Sequence, residues 1–229
     1  MHIYTNNTKD VMVPSVTSVI SFIKTKPEFE SLIKWANSLG YKHQDYFATL
    51  NNAANVGTIV HEALSYIVTN QPIPDDLINR VPFADIDKFN TAISNFYTFY
   101  RQTLPTTIYS EKSLLSAELG FGGTLDWLSI EDNKVILTDF KTSSDFREYM
   151  LIQLSAYTKL IETTTDYKID SARIILVSTP TFRKKEISRG ELDKYYKKFD
   201  LIYQLYKLYN PSIEYTEDTS ENSLIIVDS

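Results

Sequence analysis

Apolar residues recur at helical spacing up to Gln102, and strand spacing enters after Pro105. Val16, Val19, Ile20 and Ile23 form one helical stripe, and Pro14 with Ser15 or Thr17 supplies a helix start. Lys26-Pro27 interrupts that stripe. A second helix is predicted from about Glu28 to Ser38, carrying Phe29, Leu32, Ile33 and Trp35 and closing at Gly40. A third runs from about Tyr46 to Thr69. A break is expected in it near Asn55-Val-Gly57, because asparagine and glycine are weak helix formers. Beyond the break, Gly57, His61 and Leu64 share a face. Pro72, Pro74 and Pro82 predict a loop over 71–82. A helix from about Asp85 to Gln102 then carries Phe89, Ile93, Phe96 and Phe99, and Pro105 marks the change to strand texture.

A first strand is predicted over Thr106 to Ala117. Two more follow, Glu118 to Trp127 and onward, then Ile136 to Lys141, joined by a turn near Glu131-Asp-Asn-Lys134. Phe146 to Thr163 reads as a helix. Ser171 to Ser178 reads as a buried central strand, Thr181 to Ser188 as a polar strand or loop, and Gly190 to Tyr209 as a last helix. Leu224-Ile-Ile-Val227 predicts an edge strand, and residues 1–13 an irregular or extended lead-in. Helices, three strands, a helix, further strands and a helix give an α/β or α+β core with a helical N-terminal part.

At 229 residues one domain is expected. The 43% hydrophobic and 23% charged fractions are those of a globular chain, and no run approaches a membrane span. No basic segment followed by an apolar core opens the chain, so a cytoplasmic protein is expected. The absence of cysteine excludes disulfides, thiolate zinc sites and cysteine-bound iron–sulfur clusters. A net charge of -6 argues against broad nonspecific binding of nucleic acid. It leaves room for a metal-dependent nuclease, whose ion attracts phosphate.

Strand side chains alternate faces, so Asp139 and Lys141 share one face and Phe140 takes the other. Leu125 and Trp127 are expected together on the face opposite Asp126. Pairing of the two strands brings Asp126 near Asp139 and Lys141. Two carboxylates suit Mg²⁺ or Mn²⁺, with the Phe140 carbonyl as a further oxygen ligand. Lys141 can then orient an attacking water or offset charge on a phosphorane-like transition state, which suits phosphodiester hydrolysis. A lone D-x-K is usually a strand end with a solvated lysine; its company changes that. Gln153 and Tyr157, at i and i+4, share a face of the following helix. No phosphate-binding glycine loop is present, so Gly120 and Gly122-Gly123 read as relieving crowding beside the site.

Five pieces in chain order resemble the PD-(D/E)XK nuclease superfamily, and within it the RecB-like exonuclease branch. They are Pro14-Ser-Val-Thr-Ser-Val-Ile, Gly57-Thr-Ile-Val-His61-Glu62, Gly120-Phe-Gly-Gly-Thr-Leu-Asp126, Thr138-Asp139-Phe-Lys141-Thr-Ser and Gln153-Leu-Ser-Ala-Tyr157. The resemblance spans roughly residues 14 to 180 and implies a restriction-endonuclease-like core, a small mixed central sheet flanked by helices. It implies that His61, Asp126 and Asp139, with the Phe140 carbonyl, hold Mg²⁺ or Mn²⁺, and that Lys141 is the catalytic lysine. Gln153 and Tyr157 match the family's Q-x-x-x-Y helix, and Glu62 is a second-sphere or substrate contact. A further glutamate belongs to such sites, and Glu111 and Glu118 compete for the position. Without cysteines the chain cannot carry the iron–sulfur cluster of some members.

The expectation is therefore a single nuclease domain over 1–210, with 1–104 mainly helical, 105–210 the catalytic core and 211–229 an acidic tail. The expected activity is a metal-dependent DNA exonuclease acting at free or single-stranded ends, in replication, recombination or repair. A phage or bacterial setting is expected, with a helicase or recombination protein as a partner. Arg183, Lys184 and Lys185, with Lys194, Lys197 and Lys198, offer charge to DNA, although an ordinary solvated face explains them as well. The rival readings are a structure-specific endonuclease and a non-catalytic binding module on a nuclease fold.

Overall fold

The computed structural model describes residues 2–6, 11–22, 26–211 and 224–228, without the side chains of residues 2, 26–29 and 224–228. Ile23, the Phe29 side chain and most of the acidic tail lie outside this set. In chain order the elements are β1 (His2–Asn6), β2 (Met12–Pro14), α1 (Val16–Ser21), α2 (Lys26–Tyr41), α3 (Tyr46–Val68) and α4 (Asp75–Asn79). Then come α5 (Ile86–Thr103), β3 (Thr106–Ser116), β4 (Phe121–Glu131), β5 (Lys134–Lys141), α6 (Glu148–Thr164), β6 (Ser171–Leu176), β7 (Arg183–Ser188), α7 (Arg189–Tyr209) and β8 (Leu224–Asp228).

The central sheet has the order β3-β4-β5-β6-β7 and is mixed: β5 and β6 run parallel, and the other pairs are antiparallel. The parallel pair needs a crossover, and α6 provides it. Helices cover both faces. Leu128, Leu137, Ile174 and Leu176 pack with α1, α6 and α7, while Trp127, Phe140, Ile175 and Val177 pack with α3 and α5. The expected α/β core with helices on its flanks is thus the observed one. Among the described residues, no helix is long and apolar enough to cross a membrane.

Three expectations are corrected. Helix α3 runs unbroken through Asn55-Val-Gly57, because Val56, Ile59 and Val60 are fully buried and tertiary packing overrides weak propensity. Residues 71–82 contain the short helix α4, started by Pro74 with Asp75 and Asp76 in its first turn. The lead-in takes the extended of its two expected forms: β1 and β2 pair with each other, and β8 joins β1, making a second antiparallel sheet ordered β2-β1-β8. Leu125 and Trp127 do not share a face: Leu125 enters the α6/α7 core and Trp127 the α3/α5 core. The physical reason is a divergence of strands. Pairing of β4 with β5 runs from Glu131–Lys134 only as far as Trp127–Thr138, and Asp126 lies just beyond it.

Gly123 shows why the glycine pair is needed. A Cβ there would meet Tyr157 Cε1 at 2.4 Å, and Tyr157 is itself core. Gly123→Ala is expected to cost about 1–3 kcal/mol by overpacking. Urea unfolding checks this; a variant as stable as the parent would mean the Tyr157 ring can step aside.

Candidate active site

The site forms where β4 and β5 part. Asp126 Oδ2 accepts a hydrogen bond from the Phe140 N–H at 2.7 Å, so the carboxylate takes the place of a missing ladder bond. The C=O of a strand residue opens toward the same edge as its N–H, which turns the Phe140 carbonyl toward Asp126 as well. His61 descends from α3, with Nδ1 3.4 Å from Asp126 Oδ2. Gly57, one turn earlier, lets Thr142 come close: a Cβ there would sit 3.3 Å from the Thr142 hydroxyl.

Glu111 stands across from Asp126, between the paired residues Ser110–Trp127 and Lys112–Leu125. Its φ of 46° is left-handed, unusual for a glutamate and a mark of backbone strain beside this site. His61, Glu111 and Asp126 can each offer a ligand atom within 4.8 Å of the others. Glu118, the competing glutamate, is exposed in the β3–β4 turn. Glu62 pairs with Arg80 at 3.0 Å.

Asp139 is 1% exposed, and Lys141 Nζ lies 2.7 Å from its Oδ2. Neither Asp139 oxygen receives a well-directed hydrogen bond. A buried carboxylate left in that state is costly unless something charged completes it. Below it, Gln153 Nε2 donates to the Tyr157 hydroxyl at 3.1 Å, so the two i, i+4 residues do meet.

Burial opposes the charged form of His61, but the Asp126 charge outweighs it and raises the imidazole. Burial likewise opposes the Asp126 carboxylate, yet His61, Lys141 and the Phe140 N–H hold it below its ordinary value. At Asp139 burial wins and pushes the acid up to about 6 in spite of Lys141. Lys141 is raised: burial works against its charge, and the Asp139 and Asp126 charges overcome that. Glu111, crowded by protein around its carboxylate and then by the Asp126 charge, is raised to about 7, while its outer edge stays open to solvent.

The donor set is imidazole and carboxylate, suited to a small divalent cation, and the uncompleted Asp139 oxygens fit one as well. This has a measurable pH consequence. Asp139 binds its proton more tightly folded, at about 6, than as an ordinary exposed side chain, at 3.8, so the metal-free fold loses stability as pH rises across that window. Glu111 extends the loss from 4.5 toward about 7. Below both values the penalty is absent. A divalent ion competes with those protons, so the melting-temperature gain from MnCl₂ over EDTA should be several degrees larger at about pH 7.5 than at about pH 5. Equal gains at both would remove the carboxylates from the metal's shell.

Beside the site lies a groove of about 510 Å³ between α1, α2 and the N-terminal turns of α6, lined by Thr17, Leu32, Trp35, Ser143, Arg147 and Gln153 among others. Two of its lining residues stand near the cluster in the chain: Ser143 lies two residues past Lys141, and Gln153 donates to Tyr157. Sequence reasoning had Trp35 only as a helix-stripe residue and missed Arg147. Three of the six basic residues in the expected patch are ion-paired: Arg183 with Asp145, Lys184 with Glu186 and Lys198 with Glu148. Lys194 and Lys197 are exposed on α7.

No family model matches the chain, and no curated protein matches it in sequence. Solved structures do. A candidate exonuclease of Eubacterium rectale superposes with a TM-score of 0.44 at 11% identity, over 69% of each chain. SSO0001 gives 0.33 at 12% identity, over 66% of this chain and 74% of that one. LHK-Exo, solved with dAMP, gives 0.33 at 10% identity, over 68% of this chain and 93% of that one.

Proposed function

We propose that the chain is a Mg²⁺- or Mn²⁺-dependent deoxyribonuclease that hydrolyses phosphodiesters from a free, single-stranded DNA end. The observation that carries this reading is the buried Asp139 carboxylate. It pairs with Lys141 at 2.7 Å and receives no well-directed hydrogen bond, at the strand divergence that gathers Asp126, His61 and Glu111. His61, Asp126, Asp139 and Glu111, with the Phe140 carbonyl, would hold the ion. When bound, the ion supplies a Lewis acid for the phosphate and acidifies water.

The chain's own groups do the rest. Lys141, kept charged by Asp139, orients the attacking water and offsets charge on the phosphate oxygens. Water adds to phosphorus, the bond from phosphorus to the leaving sugar oxygen breaks, and that oxygen takes up a proton. Gln153 and Tyr157 brace the floor beneath Asp139. Residues 1–210 would act as one nuclease domain in replication, recombination or repair.

The groove supports the single-stranded preference. Trp35 offers a ring to an unpaired base, and Arg147 with Thr17 and Ser143 offers a charge and hydroxyls to the backbone. Of the two tryptophans, Trp127 is fully buried, so DNA can alter only Trp35 emission directly. In EDTA, oligothymidylate should quench that emission, and Trp35→Leu should raise KM about 10-fold with kcat little changed. Emission indifferent to the oligonucleotide would place the strand elsewhere.

Cleavage of end-labelled linear and covalently closed circular single strands, with Mn²⁺ and with EDTA, tests the function. Only the linear strand should be degraded, and only with metal. Cutting of the circle would establish the endonuclease reading, and no degradation of any form would leave a binding module.

A further inference from the structure

We propose that Arg173 is a positioning residue for the carboxylate site, acting from the α3/α5 face of the sheet through the last paired row before β4 and β5 part. This rests on the reading of Asp126 and Asp139 as the metal-binding acids. That row runs Trp127–Thr138–Arg173 across β4, β5 and β6. Each of the first two residues immediately adjoins an acid: Trp127 follows Asp126 and Thr138 precedes Asp139.

Arg173 is 2% exposed in the middle of an otherwise apolar strand. Its Nε donates to Thr138 Oγ1 at 2.9 Å. Its Nη1 donates to Glu131 Oε2 at 2.7 Å, and Nη2 donates to Glu131 Oε1, a bidentate fork onto the far end of β4. The guanidinium carbon, Cζ, lies over the Phe99 ring, 4.6 Å from its centroid, and 5.6 Å from that of Trp127. Trp127 Nε1 in turn donates to Thr107 Oγ1 at 3.0 Å, and that hydroxyl donates to the Val68 carbonyl at 2.6 Å. Val68 ends α3, the helix that brings His61. One guanidinium thus ties together the supports of Asp126, Asp139 and His61.

Stability alone does not call for such a pair. Taking an arginine and a glutamate out of water offsets most of their attraction, and an apolar set of similar volume is often as stable. The fork and the stacked plane give direction instead, which aliphatic contacts do not. Where strands separate, the ladder no longer fixes the distance between their side chains, and small misplacements of reacting groups are expensive. The clamp sits at the one row that sets the angle of divergence.

The test replaces both charges together, Arg173→Met with Glu131→Leu, so that neither is left buried alone. The variant should stay folded, while the Mn²⁺ concentration giving half the maximal melting shift rises about 10-fold. Its kcat should fall about 10-fold or more with KM for the oligonucleotide within about twofold. Arg173→Lys, which keeps the charge and loses the fork, should lie between. If the double variant does not fold, Thr138→Val carries the test: it removes only the Nε bond and should raise the Mn²⁺ midpoint about 5-fold. A parent-like Mn²⁺ titration in the folded variant overturns the positioning role whatever the activity. A parent that binds Mn²⁺ and cuts no DNA overturns the nuclease reading and leaves the positioning role standing.

Discussion

Asp139→Ala and Lys141→Ala should each lower metal-dependent cleavage by about 10²–10³-fold or more while leaving the fold intact. Lys141 is held 2.7 Å from Asp139 and only 18% exposed, so no other cation substitutes for it. The two variants separate by their response to metal. Asp139→Ala removes a ligand and should abolish most of the Mn²⁺ melting shift. Lys141→Ala removes a cation from beside the site, so Mn²⁺ should still bind, and more tightly than in the parent. Retained cleavage in both variants would show that the site is misplaced.

Arg173→Met alone should destabilise the protein by about 3–5 kcal/mol, because it leaves a buried carboxylate unpaired. Glu131 is 9% exposed and also accepts a hydrogen bond from the Ser129 hydroxyl, at 3.1 Å. The loss follows from stranding that carboxylate without its guanidinium. Adding Glu131→Leu should recover most of it, which urea unfolding of the single and double variants measures. A single variant as stable as the parent would mean that water reaches Glu131 and that the pair is not a dry one.

Much of this architecture is legible in the chain because local signals and packing agree. The Glu131-Asp-Asn-Lys134 turn is read correctly since Asp132 and Asn133 tolerate the left-handed φ values, 48° and 62°, that a tight hairpin turn needs. The D-x-K alternation places Asp139 and Lys141 together because strand geometry leaves no choice. Gln153 and Tyr157 meet for the analogous helical reason.

What the chain hides depends on contacts between distant segments. Gly57 suggests a break in α3, and only the sheet packed against the helix prevents it. The strand divergence at Asp126 has no local signature, so Leu125 and Trp127 cannot be assigned to different cores from alternation alone. Glu111 and Glu118 are indistinguishable by spacing; the bulge near Ile108 and the strained φ at Glu111 bring the former to the cluster. Arg173 was visible as a charge inside an apolar run, and that anomaly was the available sign of a buried partner.

The most direct measurement is anomalous diffraction from crystals soaked in MnCl₂. A manganese peak bound by His61, Asp126 and Asp139, with Lys141 beside it, is the result expected. A peak away from these residues, or none in crystals of protein that cleaves DNA with Mn²⁺, would contradict the account.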